Sequence, residues 1–243
     1  MGWISQLAPS PQVSRHDLRA GLRWVVQNGI YSQVMETLSV GVFLVAYAIS
    51  LGASNFQIGL LAAVPHVTQL AQIPAVYLVE RLRQRRKVAV LAAAAARPML
   101  LLMAVAALLP QPEPALWVLM VCFTLRYLFG AVVSCSWQSW MRDFVPHRVM
   151  GRFYANRLLL MAVAGTVFSL SAAAFVDIWN EGFPGRERYA YAILLLFAFL
   201  FGMASVFCMA KVPEPRAKLQ TGQVSLVELF RAPFRDRNFR RLI

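Results

Sequence analysis

The sequence is short of charge. Only 14% of its 243 residues are Asp, Glu, Lys or Arg, against 59% hydrophobic, where soluble domains carry about a quarter charged. That shortage excludes a soluble globular domain and points to a polytopic integral membrane protein in a lipid bilayer. Acid is scarcer still: eleven carboxylates face 24 basic side chains, for a net charge of +13. Nucleic-acid binding needs such cations clustered on one face of a soluble fold. Here they are divided among short loops between apolar runs, so no nucleic-acid partner is expected. Cysteine is limited to Cys122, Cys135 and Cys208, all within apolar runs. An odd number without metal-ligand spacing implies neither a disulfide framework nor a zinc site. No nucleophile–base pair, metal cluster or phosphate loop stands out, so no catalytic residue, metal or cofactor is expected and an enzyme is the lesser reading. No cleavable leader is expected, since residues 1–27 hold Arg15, Arg19 and Arg23 and no apolar core before a small-residue cleavage site.

What remains is apolar length. Six segments, about 28–50, 57–79, 88–109, 115–137, 155–177 and 189–210, are each long enough at 1.5 Å per residue to cross ~30 Å of hydrocarbon. Residues 1–27 form an expected cytoplasmic N-terminal segment, with a short amphipathic helix capped by Ser14 and Asp17. Residues 28–210 form the six-helix transmembrane domain. Residues 211–243 form a cytoplasmic linker, with an amphipathic stretch from Ser225 and the start of a seventh helix. Pro65 and Pro74 interrupt the second span, and the prolines at 110, 112 and 114 make the turn that stops the third.

The basic residues orient this layout. The expected outer turns hold only Arg186 and Arg188, and the spans hold Arg97 and Arg126; the other twenty of the 24 lie in segments on one side. Five of them fall within Glu80–Lys87 alone. Short Lys/Arg-rich loops stay cytoplasmic, which places both termini in the cytoplasm and the protein in the cell's inner (plasma) membrane. Trp24, Trp137 and Trp140 fall at the inner boundary and Trp117 and Trp179 at the outer one, as an aromatic belt requires.

Ionisable residues inside spans are the functional candidates, because each costs at least ~2.5 kcal/mol on insertion scales unless paired or hydrated. Glu36 and Arg126 lie at depths that differ by only ~5 Å at a helical rise of 1.5 Å, so an ion pair is open to them if their helices adjoin. Such a pair either lines a cavity, binding a polar substrate or coupling protons, or fixes helix packing. His66, Gln69 and Gln72 recur every third residue beside Pro65, as an aqueous stripe or as interhelical hydrogen bonds. Arg97, before Pro98, reads as a structural residue whose guanidinium satisfies a carbonyl freed by the kink. Gly165, Ser169 and Ala173 give the fifth span a small-residue stripe for close packing.

Three segments resemble the major facilitator superfamily. The first is Val76-Tyr-Leu78-Val-Glu80-Arg81-Leu-Arg83, followed by Arg85, Arg86 and Lys87. It is similar to that family's Gly-x-Leu-Ala-Asp-Arg-x-Gly-Arg-Arg motif after the second span, with Val76 and Arg83 in place of its glycines. The second is Arg126-Tyr-Leu-Phe-Gly130, which resembles Arg-x-x-Gln-Gly in the fourth span, with Phe129 for the glutamine. The third is the loop from Trp140 through Arg142, Asp143 and Pro146 to Gly151 and Arg152, which resembles the family's loop after that span. The Gly-Pro motif of drug–proton antiporters is missing from the fifth span.

The resemblance covers roughly residues 28–243. It implies an all-α integral membrane fold, a six-transmembrane-helix bundle forming half of a twelve-helix major facilitator fold. It further implies secondary transport of a small-molecule substrate by alternating access, with proton coupling an open alternative. Arg126 and Glu36, with His66 and Gln69, would serve substrate binding or proton coupling. Glu80, Arg81, Arg142, Asp143 and Arg152 would form a cytoplasmic gate by exchanging salt bridges. In that family the substrate sits between two halves, so a second six-helix half is an expected partner and the chain is expected to be partial. The competing reading is a six-span scaffold or assembly subunit with no transported substrate.

Overall fold

The structure, a computed structural model, describes residues 14–82 and 84–215, without the side chains of Arg15, Leu78, Glu80 and Arg81. The amphipathic stretch expected from Ser225 and the start of a seventh helix lie outside the described residues. The described elements are all helices.

Helix α1, Arg15–Ser39, begins where Ser14 Oγ accepts the Asp17 backbone N–H at 3.1 Å. It runs unbroken through the expected amphipathic segment into the first span. The break comes later, at Gly41, whose φ of +67° only glycine adopts without strain. Ser39 Oγ donates to Met35 O at 2.7 Å just before it. Helix α2, Val42–Ser50, completes the crossing.

The expected second span is three pieces: α3 (Asn55–Val67), a 3₁₀ turn (Thr68–Ala71) and α4 (Gln72–Leu82). Ser54 and Gln57 form a capping box at its start. Pro65 removes one amide donor and crowds the preceding turn. Thr68 Oγ1 bonds the carbonyls of Val64 and Pro65 there, at 2.8 and 3.3 Å. Helix α5 is Arg85–Val105, α6 Pro112–Phe144, α7 Met150–Gly182 and α8 Glu187–Lys211. Pro112, expected in a turn, is the first residue of α6, where its missing N–H costs nothing. Five helical stretches among the described residues are long and apolar enough to cross a membrane: His16–Ser50, Arg85–Leu108, and the whole of α6, α7 and α8. Six such spans were expected. The proline-broken segment 55–82 is the one without a single long helix.

Helix α1 packs on α8 and α7, α5 packs on α6 and α8, and α6 also carries α3, the 3₁₀ turn and α4. Two apolar clusters result. One joins Leu38, Tyr47, Leu100, Met103, Phe123 and Leu194 at one end of the bundle. The other joins Val25, Val90, Trp140, Phe144, Val206 and Met209 at the opposite end. Fully burying each such side chain contributes roughly 1.5–3 kcal/mol where water is the alternative; in a bilayer, close packing and polar contacts carry more of the association.

A polar layer lies between the clusters. Asn28 Nδ2 donates to Ser205 O and Oγ, both at 2.9 Å, and the hydroxyls of Ser32 and Ser205 are 2.7 Å apart. Trp140 does not join an interfacial belt: it is fully buried, and its Nε1 donates to Pro213 O at 3.2 Å. The Gly165–Ser169–Ala173 stripe makes the α7 contact only in part, since Ser169 is half-buried and Ala173 exposed. The buried face is Gly165, Ala172 and Val176, and a Cβ on Gly165 would stand 3.3 Å from Gln33.

Candidate functional site

A cavity of about 170 Å³ opens between α1, the 3₁₀ turn, α4, α5 and α6. Glu36, Gln69, Gln72, Arg97, Arg126 and Tyr127 contribute its polar wall. Its centre is an ion pair: Arg126 Nη2 donates to Glu36 Oε1 at 2.6 Å. The two helices that carry this pair, α1 and α6, are not among the closely packed neighbours of the bundle. The bridge therefore reaches across a gap.

The two partners differ in surroundings. The Arg126 side chain is 4% exposed and that of Glu36 45%, so the guanidinium is held in the bundle while the carboxylate edges the opening. The Arg126 guanidinium also lies 5.2 Å from the centre of the Tyr127 ring. Its Nε is buried and has no hydrogen-bond partner among the described residues.

The broken second span shapes the other wall. In a 3₁₀ turn, residues three apart eclipse one another, and here the Gln72 side-chain amide donates to the Gln69 side-chain oxygen. Both line the cavity. His66 does not: it sits in the α-helical part of α3, is exposed, and is not part of the cavity wall. The expected stripe of three thus contributes two members, because the helix type changes between the first and second.

Arg97, read from the sequence as a structural residue, reaches the cavity too. It is 7% exposed and lines the same cavity. Its Nε reaches the carbonyl of Gly202 on α8 at 3.4 Å, and not a carbonyl freed by Pro98 in its own helix. Gly202 makes room for it, since a Cβ there would lie 2.8 Å from Arg97 Cδ and 2.9 Å from Met35 Sδ. The signal in the sequence is the insertion cost of an arginine at that depth.

The charged end of the bundle holds a second constellation. Asp143 Oδ2 accepts from Arg85 Nη1 at 2.6 Å, where Arg142, Arg81 or Arg152 were expected as partners. Arg142 and Arg152 are exposed and make no ion pair among the described residues. The Glu80 and Arg81 side chains lie outside the described residues. Arg85 Nη1 also donates to Ser139 O at 2.8 Å. Glu214, beyond the end of α8, is 3% exposed, and its two oxygens accept the Arg85 and Arg86 backbone N–H groups at 2.9 and 3.2 Å. It caps the first turn of α5, where Gln84 supplies no side-chain cap. Burial raises the Glu214 carboxyl above its ordinary 4.5, and the two N–H donors and the arginines oppose that rise. Glu214 was not singled out in the sequence, and Arg85 only within the basic run of the first motif, since their meeting depends on a contact 129 residues apart.

A larger groove of about 750 Å³ lies between α5, α7 and α8, lined by residues such as Leu101, Val105, Ile193 and Leu196, with Arg186 its one charged group. It lacks the convergent polar groups of a solute site.

Among the comparisons with known proteins, a family model described as Major Facilitator Superfamily matches residues 29–243. No curated protein and no solved structure matches the chain.

Proposed function

The chain belongs to the Major Facilitator Superfamily, and we propose that it moves a small solute through the Glu36–Arg126 cavity by alternating access. The observation that carries this reading is the ion pair spanning α1 and α6 across a polar cavity within apolar helices. Intramembrane charges that face a cavity mark substrate or ion paths. Arg126 and Glu36 are the groups that bind solute or couple protons, with Gln69 and Gln72 as neutral hydrogen-bonding partners.

The proposed topology has six crossings, the segment 55–82 being the second, with both termini in the cytoplasm. A second six-helix half closes the solute path. The Arg85–Asp143 bridge and the Glu214 cap form the inner gate region, the bridge being the part that opens.

Cysteine accessibility tests the reading. Single cysteines at 36, 69 and 126 in a chain without its native cysteines are treated with a membrane-impermeant maleimide in right-side-out and inverted vesicles. Labelling of positions 36 and 69 from an aqueous side is the expected outcome. Protection at all three from both sides would indicate a water-excluding scaffold and overturn the transport reading.

A further inference from the structure

The cavity carries an unbalanced charge. Arg97 and Arg126 line it with Glu36, and its other wall residues, among them Thr68, Gln69, Gln72, Tyr127 and Ser134, are neutral. Two guanidinium groups against one carboxylate leave one net positive charge among apolar helices. Buried charges are expensive unless paired, and arginine does not relieve the cost by losing its proton.

Neither arginine has its donors filled. Arg97 makes no ion pair among the described residues, and its hydrogen bond to Gly202 is long, at 3.4 Å. Arg126 gives one nitrogen to Glu36 and keeps a buried, unpartnered Nε. The site therefore lacks one negative charge and an acceptor able to take several N–H groups at once.

We propose that this cavity is the binding site for a small monocarboxylate, held by Arg97 and Arg126 together. The proposal rests on the transport reading of the same cavity and names its substrate class. A carboxylate supplies one negative charge, which balances the site. A phosphate monoester carries about −1.5 to −2 near neutral pH and overshoots. The planar two-oxygen group also matches the guanidinium fork, which favours bidentate recognition. In this arrangement Glu36 stays on Arg126 and fixes its orientation, and Arg97 is a substrate-binding residue.

The test uses the full chain, purified in detergent at low salt, with thermal unfolding followed by tryptophan fluorescence. Acetate, lactate and benzoate are titrated against their neutral amides, with sodium chloride and inorganic phosphate in parallel. A ligand that binds only the folded state raises the unfolding midpoint saturably. At least one carboxylate is expected to do so where its amide does not, and Arg97→Gln is expected to weaken that response at least tenfold in apparent Kd. Arg97→Lys, which keeps the charge and loses the fork, is expected to fall between them.

Equal stabilisation by acid and amide, stabilisation by chloride or phosphate at the same concentration, or an undiminished response in Arg97→Gln overturns the proposal. Should Arg97→Gln fail to fold, Arg97→Lys carries the same comparison. Vesicle transport separates the two readings. Glu36-dependent uptake of a neutral or cationic solute sinks the monocarboxylate assignment and leaves transport standing. Carboxylate binding without movement across the vesicle supports the site and sinks the transport reading.

Discussion

Replacing Glu36 by glutamine removes the one counter-charge paired, among the described residues, with a guanidinium that is 4% exposed. Two unit charges at ~4 Å attract by about 4 kcal/mol at an effective dielectric of ~20, and breaking a fully buried pair costs about 3–5 kcal/mol. Glu36 is 45% exposed and keeps much of its hydration at the cavity mouth, so the expected loss is smaller, about 2 kcal/mol. Removing the stranded cation as well, with Arg126→Met, is expected to return most of that loss. The double-mutant cycle should then report a coupling of about 1.5 kcal/mol. Unfolding in mixed dodecyl maltoside–SDS micelles, read by tryptophan fluorescence and run without added carboxylate, supplies the four stabilities. A coupling below about 0.5 kcal/mol would refute the reasoning, since the bridge would then be a crossing of two independently solvated groups.

The remaining expectations concern contacts at both ends of the bundle. Glu214, with its carboxyl raised by burial from 4.5, contributes stability that is complete below pH ~4.5 and is lost as pH rises through the higher folded value; Glu214→Gln should flatten that slope in unfolding measured from pH 4 to 8. Gly202→Ala brings a Cβ to 2.8 Å from Arg97 Cδ and 2.9 Å from Met35 Sδ and should cost about 1–3 kcal/mol in the same micelle assay. Asp143→Asn breaks a bridge whose partners are 14% and 35% exposed; the expected loss is under about 1 kcal/mol and should vanish in high salt, where screening has already weakened the pair.

Much of the architecture could be read along the chain. Apolar run length located the helices, and the arithmetic of rise per residue put Glu36 and Arg126 at one level before any contact was known. The second span was harder. Pro65 and Pro74 announced an interruption, yet only the folded chain shows a 3₁₀ turn that turns Gln69 and Gln72 to the cavity and leaves His66 outside it. Trp140 looked interfacial by position and is buried because the chain beyond α8 folds back over it.

The division has a physical cause. Hydropathy and the placement of basic loops are local properties, so the sequence by itself determined a membrane-embedded helical chain with charged ends and a few charges at depth. Which charges meet is a property of helix neighbours. Only the tertiary structure decided that Arg97 turns into the Glu36–Arg126 cavity past Gly202, and that Asp143 takes Arg85 and Glu214 caps α5. Those pairings join residues scores of positions apart, where nothing in the local pattern distinguishes one arginine from the next.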